Sequence, residues 1–236
     1  MEYEHIYING DSYTALADNN VYSDFLQEYF PNTSIRNAAI RGSNNDRIFR
    51  SSVEHISSLG GKSLVIIGFS FLTRQELWYD GNRKDIIATA NDETIRDYPI
   101  VRDLPFPIPM ITLDKVYKKE NTELYKMLMV SENIVKKLID YYTNLVMLRG
   151  FLRDRGIDYI IFSAANNSDL GYENEFIYKT NVYKTVQQDK RIKDVEEFSI
   201  PFFAANHELR TTSTGHLLED GHKEFAKYLH GWINNT

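Results

Sequence analysis

The sequence predicts an α/β protein: a doubly wound, flavodoxin-like three-layer α/β/α sandwich around a mainly parallel five-stranded sheet. Three observations carry this. The run Ser63-Leu64-Val65-Ile66-Ile67-Gly68 and the run Asp158 to Ser163 (DYIIFS) are continuously apolar and rich in β-branched residues, the pattern of strands buried on both faces of a parallel sheet. Segments of helical spacing separate the strands, which gives βαβ units. Helices therefore cover both faces, and no internal repeat, heptad run or low-complexity tract points elsewhere.

The elements follow in order. His5 to Asn9 alternates and breaks at Gly10-Asp11-Ser12, a short strand running into a turn. Val21, Phe25, Leu26, Tyr29 and Phe30 mark a helix that stops at Pro31, where the backbone N–H is missing. Ser34 to Ile40 reads as the second strand. Ile48, Phe49, Val53, Ile56 and Leu59 mark a second helix closed by Gly60-Gly61, and the third strand follows. From Phe71 to Tyr117 the period is lost and four of the six prolines occur. This is an inserted cap or loop region within one domain spanning residues 1–236.

Order returns at Asn121, an expected N-cap. A stripe from Leu124 through Leu138, Tyr142, Leu145 and Leu148 to Leu152 ends at Gly156, giving one helix of about 30 residues or two pieces. Asp158 to Ser163 is the fourth strand. Ala164 to Asp194 is polar and rich in tyrosine with weak helical signals, a fifth short strand is expected within Val195 to Phe203, and Leu217 to Ile233 is the closing helix.

Composition narrows the chemistry. The 236 residues hold 33 acidic side chains against 27 Lys and Arg, for a net charge of −6. A general binder of nucleic-acid backbones needs a dense basic surface, and this chain lacks the composition for one. No cysteine is present, which removes disulfide frameworks, thiolate metal sites and a cysteine nucleophile. No segment reaches the roughly 18 apolar residues of a spanning helix. The start, MEYEHIYINGDS, lacks a basic region followed by an apolar core. The expectation is a soluble protein without membrane association, in a cytoplasm or, if virus-encoded, in a host cytoplasm or virion.

In doubly wound sheets ligands sit outside the carboxyl ends of the strands. The segments leaving the strands or lying late in the chain are Gly10 to Ser12, Asn37 to Arg47, Gly68 to Glu76 and Gly215 to His222. Ser12 follows the first strand, where a hydroxyl could sit at a helix N-terminus whose N–H groups stabilise an oxyanion. Taken alone it reads first as an N-cap, ahead of a nucleophile, and His216 alone as one more surface or core imidazole.

Together with the pattern between them, these residues resemble the SGNH, or GDSL-type, hydrolase superfamily. Gly10-Asp11-Ser12-Tyr13-Thr14 matches its GDS block, and the resemblance places the nucleophile at Ser12, with Asp11 beside it at the substrate. Asn37 to Asn44 (NAAIRGSN) matches the block whose glycine donates to the oxyanion hole, which falls on Gly42. Gly215 to His222 (GHLLEDGH), followed by Phe225-Ala226, is similar to the C-terminal block and puts the general base at His216.

Two positions depart from the family. Its third strand usually ends in Gly-x-Asn-Asp, with the asparagine as a further oxyanion donor; here Gly68-Phe69-Ser70 leaves only the rotatable hydroxyl of Ser70. Its aspartate lies three residues before the histidine; here that position is Ser213. The expectation is a Ser12–His216 dyad whose imidazole N–H is held by Ser213 or a backbone carbonyl. In a trypsin-type triad, replacing the aspartate by its amide costs about 10⁴ in turnover. Asp220 lies on the wrong side of His216 for the family's acid and reads as an N-cap.

The third block, Gly68 to Trp78 (GFSFLTRQELW), is similar to a G-aromatic-S/T-x-x-x-R-x-E segment of an SGNH-like subgroup common in tailed-phage genomes. By that resemblance Arg74 and Glu76 line the site, with Arg74 able to clamp an anionic or sugar-acid group. An Arg–Glu pair ordering the loop is the other reading. Asn44, Asn45 and Arg47 divide between substrate contact and helix capping. Zinc held by His207, His216 and His222 fits no compact ligand spacing, and no nucleotide fingerprint follows the first strand.

The resemblance implies an esterase acting without metal or organic cofactor on a small-molecule or glycan ester, with an O-acetyl group on a carbohydrate or cell-surface glycan as the expected substrate. Its rival is an SGNH-like binding or structural module, in a virion or carbohydrate-binding assembly, that kept the fold and lost the acid.

Overall fold

The computed structural model describes residues 2–15, 20–72, 75–78, 110–113, 134–167, 175–195 and 197–236. Five parallel strands form the sheet: β1 (His5–Asn9), β2 (Ser34–Asn37), β3 (Ser63–Phe69), β6 (Asp158–Ser163) and β7 (Ile192–Lys193), in the order β2-β1-β3-β6-β7. Register is continuous from His5↔Ser34 and His5↔Ser63 through Leu64↔Asp158 to Ile161↔Ile192. Every pair in this sheet is parallel, so the expected mainly parallel sheet is wholly so.

Strand alternation sorts the core into two halves. Ile6, Ile8, Leu64, Ile66, Ile160 and Phe162 face the layer containing α1 (Tyr22–Tyr29), α6 (Ile200–Asn206) and α7 (Glu219–Asn234). Tyr7, Val65, Ile67, Phe69, Tyr159 and Ile161 face α2 (Asn45–Ser57), α3 (Ile134–Asp154), α4 (Glu175–Tyr178) and α5 (Asn181–Gln187). All seven residues of β3 are buried, as a central strand covered on both faces must be.

Helix ends follow local chemistry. Asn44 caps α2 by accepting from the Arg47 N–H. α3 ends with Gly156 at φ +66°, and the Gly156 and Ile157 N–H groups return to Arg153 and Leu152, the paired closure that a left-handed residue permits. The segment before 134, including the expected N-cap Asn121, lies outside the described residues.

Two elements differ from the sequence expectation. The fifth strand lies at Ile192–Lys193, before the expected Val195 to Phe203, and that segment instead starts α6. Ser199 accepts from the Phe202 N–H, and Pro201 sits in the first turn, where its missing N–H costs no hydrogen bond. α7 is capped at Leu218 rather than Asp220, which occupies its first turn and pairs with Arg210 at 3.2 Å. In the expected cap region, β4 (Gln75–Trp78) and β5 (Met110–Leu113) pair antiparallel; apart from Phe71 and Leu72, the rest of that region lies outside the described residues.

Two strand-end glycines set the packing at the sheet's carboxyl edge. A Cβ on Gly10 would stand 2.6 Å from Thr14 Oγ1 and 2.8 Å from the Gly68 carbonyl oxygen, and one on Gly68 would stand 2.9 Å from Thr14 Oγ1. The turn after β1 folds back onto the end of β3 because neither glycine carries a side chain. Among the described residues, no helix is long and apolar enough to cross a membrane.

Candidate active site

The turn after β1 is fixed before it presents any reactive group. Buried Asn9 donates its amide to Ile48, Ser51 and Ser52 on α2 and accepts the Gly10 N–H at 2.9 Å. Asp11 accepts the Tyr13 N–H on Oδ1 at 3.0 Å, and its carbonyl accepts the N–H groups of Thr14 and Ala15. Asp11 thus caps the turn in which Ser12 is the first residue. Asn37, leaving β2, donates to the Thr14 carbonyl at 2.8 Å, and the Ile40 N–H reaches the Gly10 carbonyl at 3.1 Å. The exits of β1 and β2 are one bonded unit.

His216 reaches this turn from the other end of the chain. Its Nε2 lies 2.9 Å from Ser12 Oγ, and its Nδ1 lies 2.9 Å from Thr214 Oγ1. Thr214 Oγ1 is in turn 3.0 Å from Thr212 Oγ1, which accepts the His216 N–H at 3.1 Å. The Tyr13 ring stacks on the imidazole, with centroids 4.4 Å apart and planes 16° from parallel.

The side chain at Nδ1 is therefore that of Thr214, and the expected partner Ser213 is corrected. The reason is a hairpin loop. Gly215 N–H bonds to the Thr212 carbonyl, Thr212 N–H bonds to the His216 carbonyl, and Gly215 is at φ +80°. This is a three-residue hairpin loop, 213–215, whose last residue is the left-handed glycine. It puts Ser213 at the exposed tip and brings Thr214 back beside the ring.

Three other expected residues hold different positions. Ser70, expected to donate to an oxyanion, is fully buried and gives its hydroxyl hydrogen to Asp11 Oδ2 at 2.6 Å. A hydroxyl has one hydrogen, so Ser70 orders the turn that carries Ser12 instead. Asp11, expected at the substrate, is fully buried with both carboxylate oxygens engaged within the protein. Asn44, also expected to touch substrate, is buried as the cap of α2.

Asn45 is half-buried and clamps the end of β3: its Oδ1 accepts the Ser70 N–H at 2.6 Å, and its Nδ2 donates to the Ser70 carbonyl at 3.3 Å. Arg47 points back to Ser43 Oγ at 2.5 Å. Gly42 is at φ +80°, a left-handed conformation natural to glycine. Among the described residues, neither the Ser12 N–H nor the Gly42 N–H has a hydrogen-bond partner. Arg74 and the side chain of Glu76 lie outside the described residues.

His222, one turn into α7, is buried with Nδ1 unpartnered. Burial, aided by His216, pushes its imidazole down to about 4, with Asp24 acting in the opposite direction. It is neutral at pH 7. Among the described residues no three His, Asp or Glu side chains converge as a metal site would require. Thr214, Tyr13 and the Asn45–Ser70 clamp are the features that sequence reasoning missed. Tyr13 had one signal, its place directly after Ser12.

No family model and no curated protein sequence matches the chain. Among solved structures, the chain is similar to a lipolytic protein of the G-D-S-L family from Veillonella parvula, at 12% identity and TM-score 0.49, covering 96% of each chain. It is also similar to a putative lipolytic protein of that family from Desulfitobacterium hafniense, at 11% identity and TM-score 0.47, covering 97% of this chain and 99% of that one. A third is an acetyl xylan esterase, at 12% identity and TM-score 0.49, covering 96% of this chain and 98% of that one.

Proposed function

We propose that the protein is a serine ester hydrolase of SGNH type working through a Ser12–His216 dyad. The observation that carries this reading is the 2.9 Å contact between Ser12 Oγ and His216 Nε2, within the reach a general base needs. In the tautomer whose Nδ1–H donates to Thr214 Oγ1, 2.9 Å away, the Nε2 lone pair faces the Ser12 hydroxyl.

In the reaction, His216 takes the proton of Ser12 as Oγ attacks the acyl carbonyl. The tetrahedral oxyanion is held by the N–H groups of Ser12 and Gly42, which are otherwise unpartnered among the described residues. His216 then gives its proton to the leaving alcohol, and the acyl group stays on Ser12 as an ester. Water attacks that ester with His216 again as base, releasing the acid and restoring Ser12. The substrate class follows from the family resemblance: an acyl ester, with an O-acetyl group on a carbohydrate or cell-surface glycan as the first to test.

The test is intact-mass labelling with a fluorophosphonate ester. One adduct on the native chain, absent in Ser12→Ala and slowed in His216→Ala, supports the activated serine. Native, folded protein that takes no label sinks the reading and leaves an SGNH-like binding module in its place.

A further inference from the structure

Among the described residues, the imidazole of His216 meets groups of different kinds. Ser12 Oγ is at Nε2, Thr214 Oγ1 is at Nδ1, and the Tyr13 ring covers one face. The Nδ1 partner is a neutral hydroxyl, which accepts a hydrogen bond but offers no negative charge to an imidazolium. The near-parallel Tyr13 ring, 4.4 Å away, presents the negative lobe of its quadrupole to the imidazole. Cations within about 6 Å of such a face are attracted to it.

Tyr13 is held where it is. It is buried, its hydroxyl reaches the Thr214 carbonyl at 3.4 Å, and Phe71 packs against it with centroids 6.2 Å apart. Its N–H is fixed by Asp11 Oδ1 in the same turn that presents Ser12. The nucleophile and the aromatic face thus arrive on adjacent residues of one rigid turn. Among the described residues, His222, buried on α7, interacts electrostatically with the imidazole, and Asp11, the residue before Ser12, has its carboxylate engaged by the Tyr13 N–H and the Ser70 hydroxyl.

We propose that Tyr13 is a positioning residue that stabilises the His216 imidazolium formed during catalysis, supplying from the ring face part of what a triad carboxylate supplies at Nδ1. This rests on the hydrolase reading above. It also assigns the residue after the nucleophile a role in setting the reactivity of the base.

The experiment replaces Tyr13 by Phe and then by phenylalanines of increasing ring fluorination, which drain the quadrupole while keeping the shape. The protonation midpoint of His216 is followed by NMR of its ring protons, assigned with His216→Ala. With Tyr13→Phe as reference, the midpoint should fall steadily along the series, by about half to one and a half pH units in total. The plateau rate of fluorophosphonate labelling should drop by about two- to thirtyfold, and its acid limb should move to lower pH. A midpoint that ignores fluorination overturns the proposal, even if the labelling rate drops. A native chain that takes no label is the failure of the hydrolase reading, and the titration then decides the ring–imidazole interaction by itself.

Discussion

Ser70 donates its hydroxyl hydrogen to Oδ2 of Asp11 across 2.6 Å, joining the end of β3 to the residue before Ser12. Both residues are fully buried. A hydrogen bond to a carboxylate in such a place is worth more than a neutral one, because removing the donor leaves a buried acceptor exposed to no water.

Ser70→Ala should therefore destabilise the fold by about 1.5–3 kcal/mol, measured by urea denaturation. Ser70→Thr, which keeps the hydroxyl, should lose less than Ser70→Ala. Equal losses in the two variants would show that space, and not the bond to Asp11, is what Ser70 supplies.

The partner of Nδ1 can be tested on its own. Thr214→Val removes the hydroxyl and keeps the volume, so the fluorophosphonate labelling rate should fall about three- to tenfold, the worth of one neutral hydrogen bond. Ser213→Ala should leave it within about twofold, since a solvent-exposed position away from a hydrogen-bond network has little to lose. The reverse ranking would restore Ser213 as the orienting residue.

His222 gives a stability–pH slope of known sign. Its imidazole is held at about 4 by burial, whereas an unfolded histidine titrates near pH 6.5. On acidification the unfolded chain takes up the proton first. Stability should be full above about pH 6.5 and fall as the pH drops toward 4, by up to about 3 kcal/mol from this one group. His222→Phe should flatten that part of the curve, measured by urea midpoints between pH 7 and 4.5. An unchanged slope would assign the acid sensitivity elsewhere.

Gly10→Ala should cost about 1–3 kcal/mol as an overpacked core position, because the new methyl meets the Gly68 carbonyl as well as Thr14. Thr14→Ala in the same chain should recover only part of the loss, since the backbone contact remains. Thermal melts of the single and double variants would show this, and full recovery would place the whole clash on Thr14.

The strands that build the sheet's centre were legible because burial on both faces leaves an unbroken apolar run, as at Ser63–Phe69 and Asp158–Ser163. β7 was not, since two residues carry no period, and its place was misread into the apolar segment that Ser199 and Pro201 turn into a helix. At the site, Ser12 and His216 stood out by motif, and the fold brings them together. Which hydroxyl meets Nδ1 was not legible. That choice depends on Gly215 adopting a positive φ and rotating the tip of the loop, a backbone fact that counting residues back from His216 does not contain. Ser70 was misassigned for a similar reason: its neighbour Asp11 is 59 positions away in sequence, and only the sheet makes them adjacent.

Ser12 and His216 are separated by 204 positions along the chain. Closing so long a loop is among the late, entropically expensive steps of folding. Serine reactivity toward a fluorophosphonate would then appear only when β1 and the hairpin before α7 have met, after most local structure has formed. On the hydrolase reading, the serine doubles as a clock for chain closure: during refolding, the time at which it begins to accept label would mark when the two distant segments come into register.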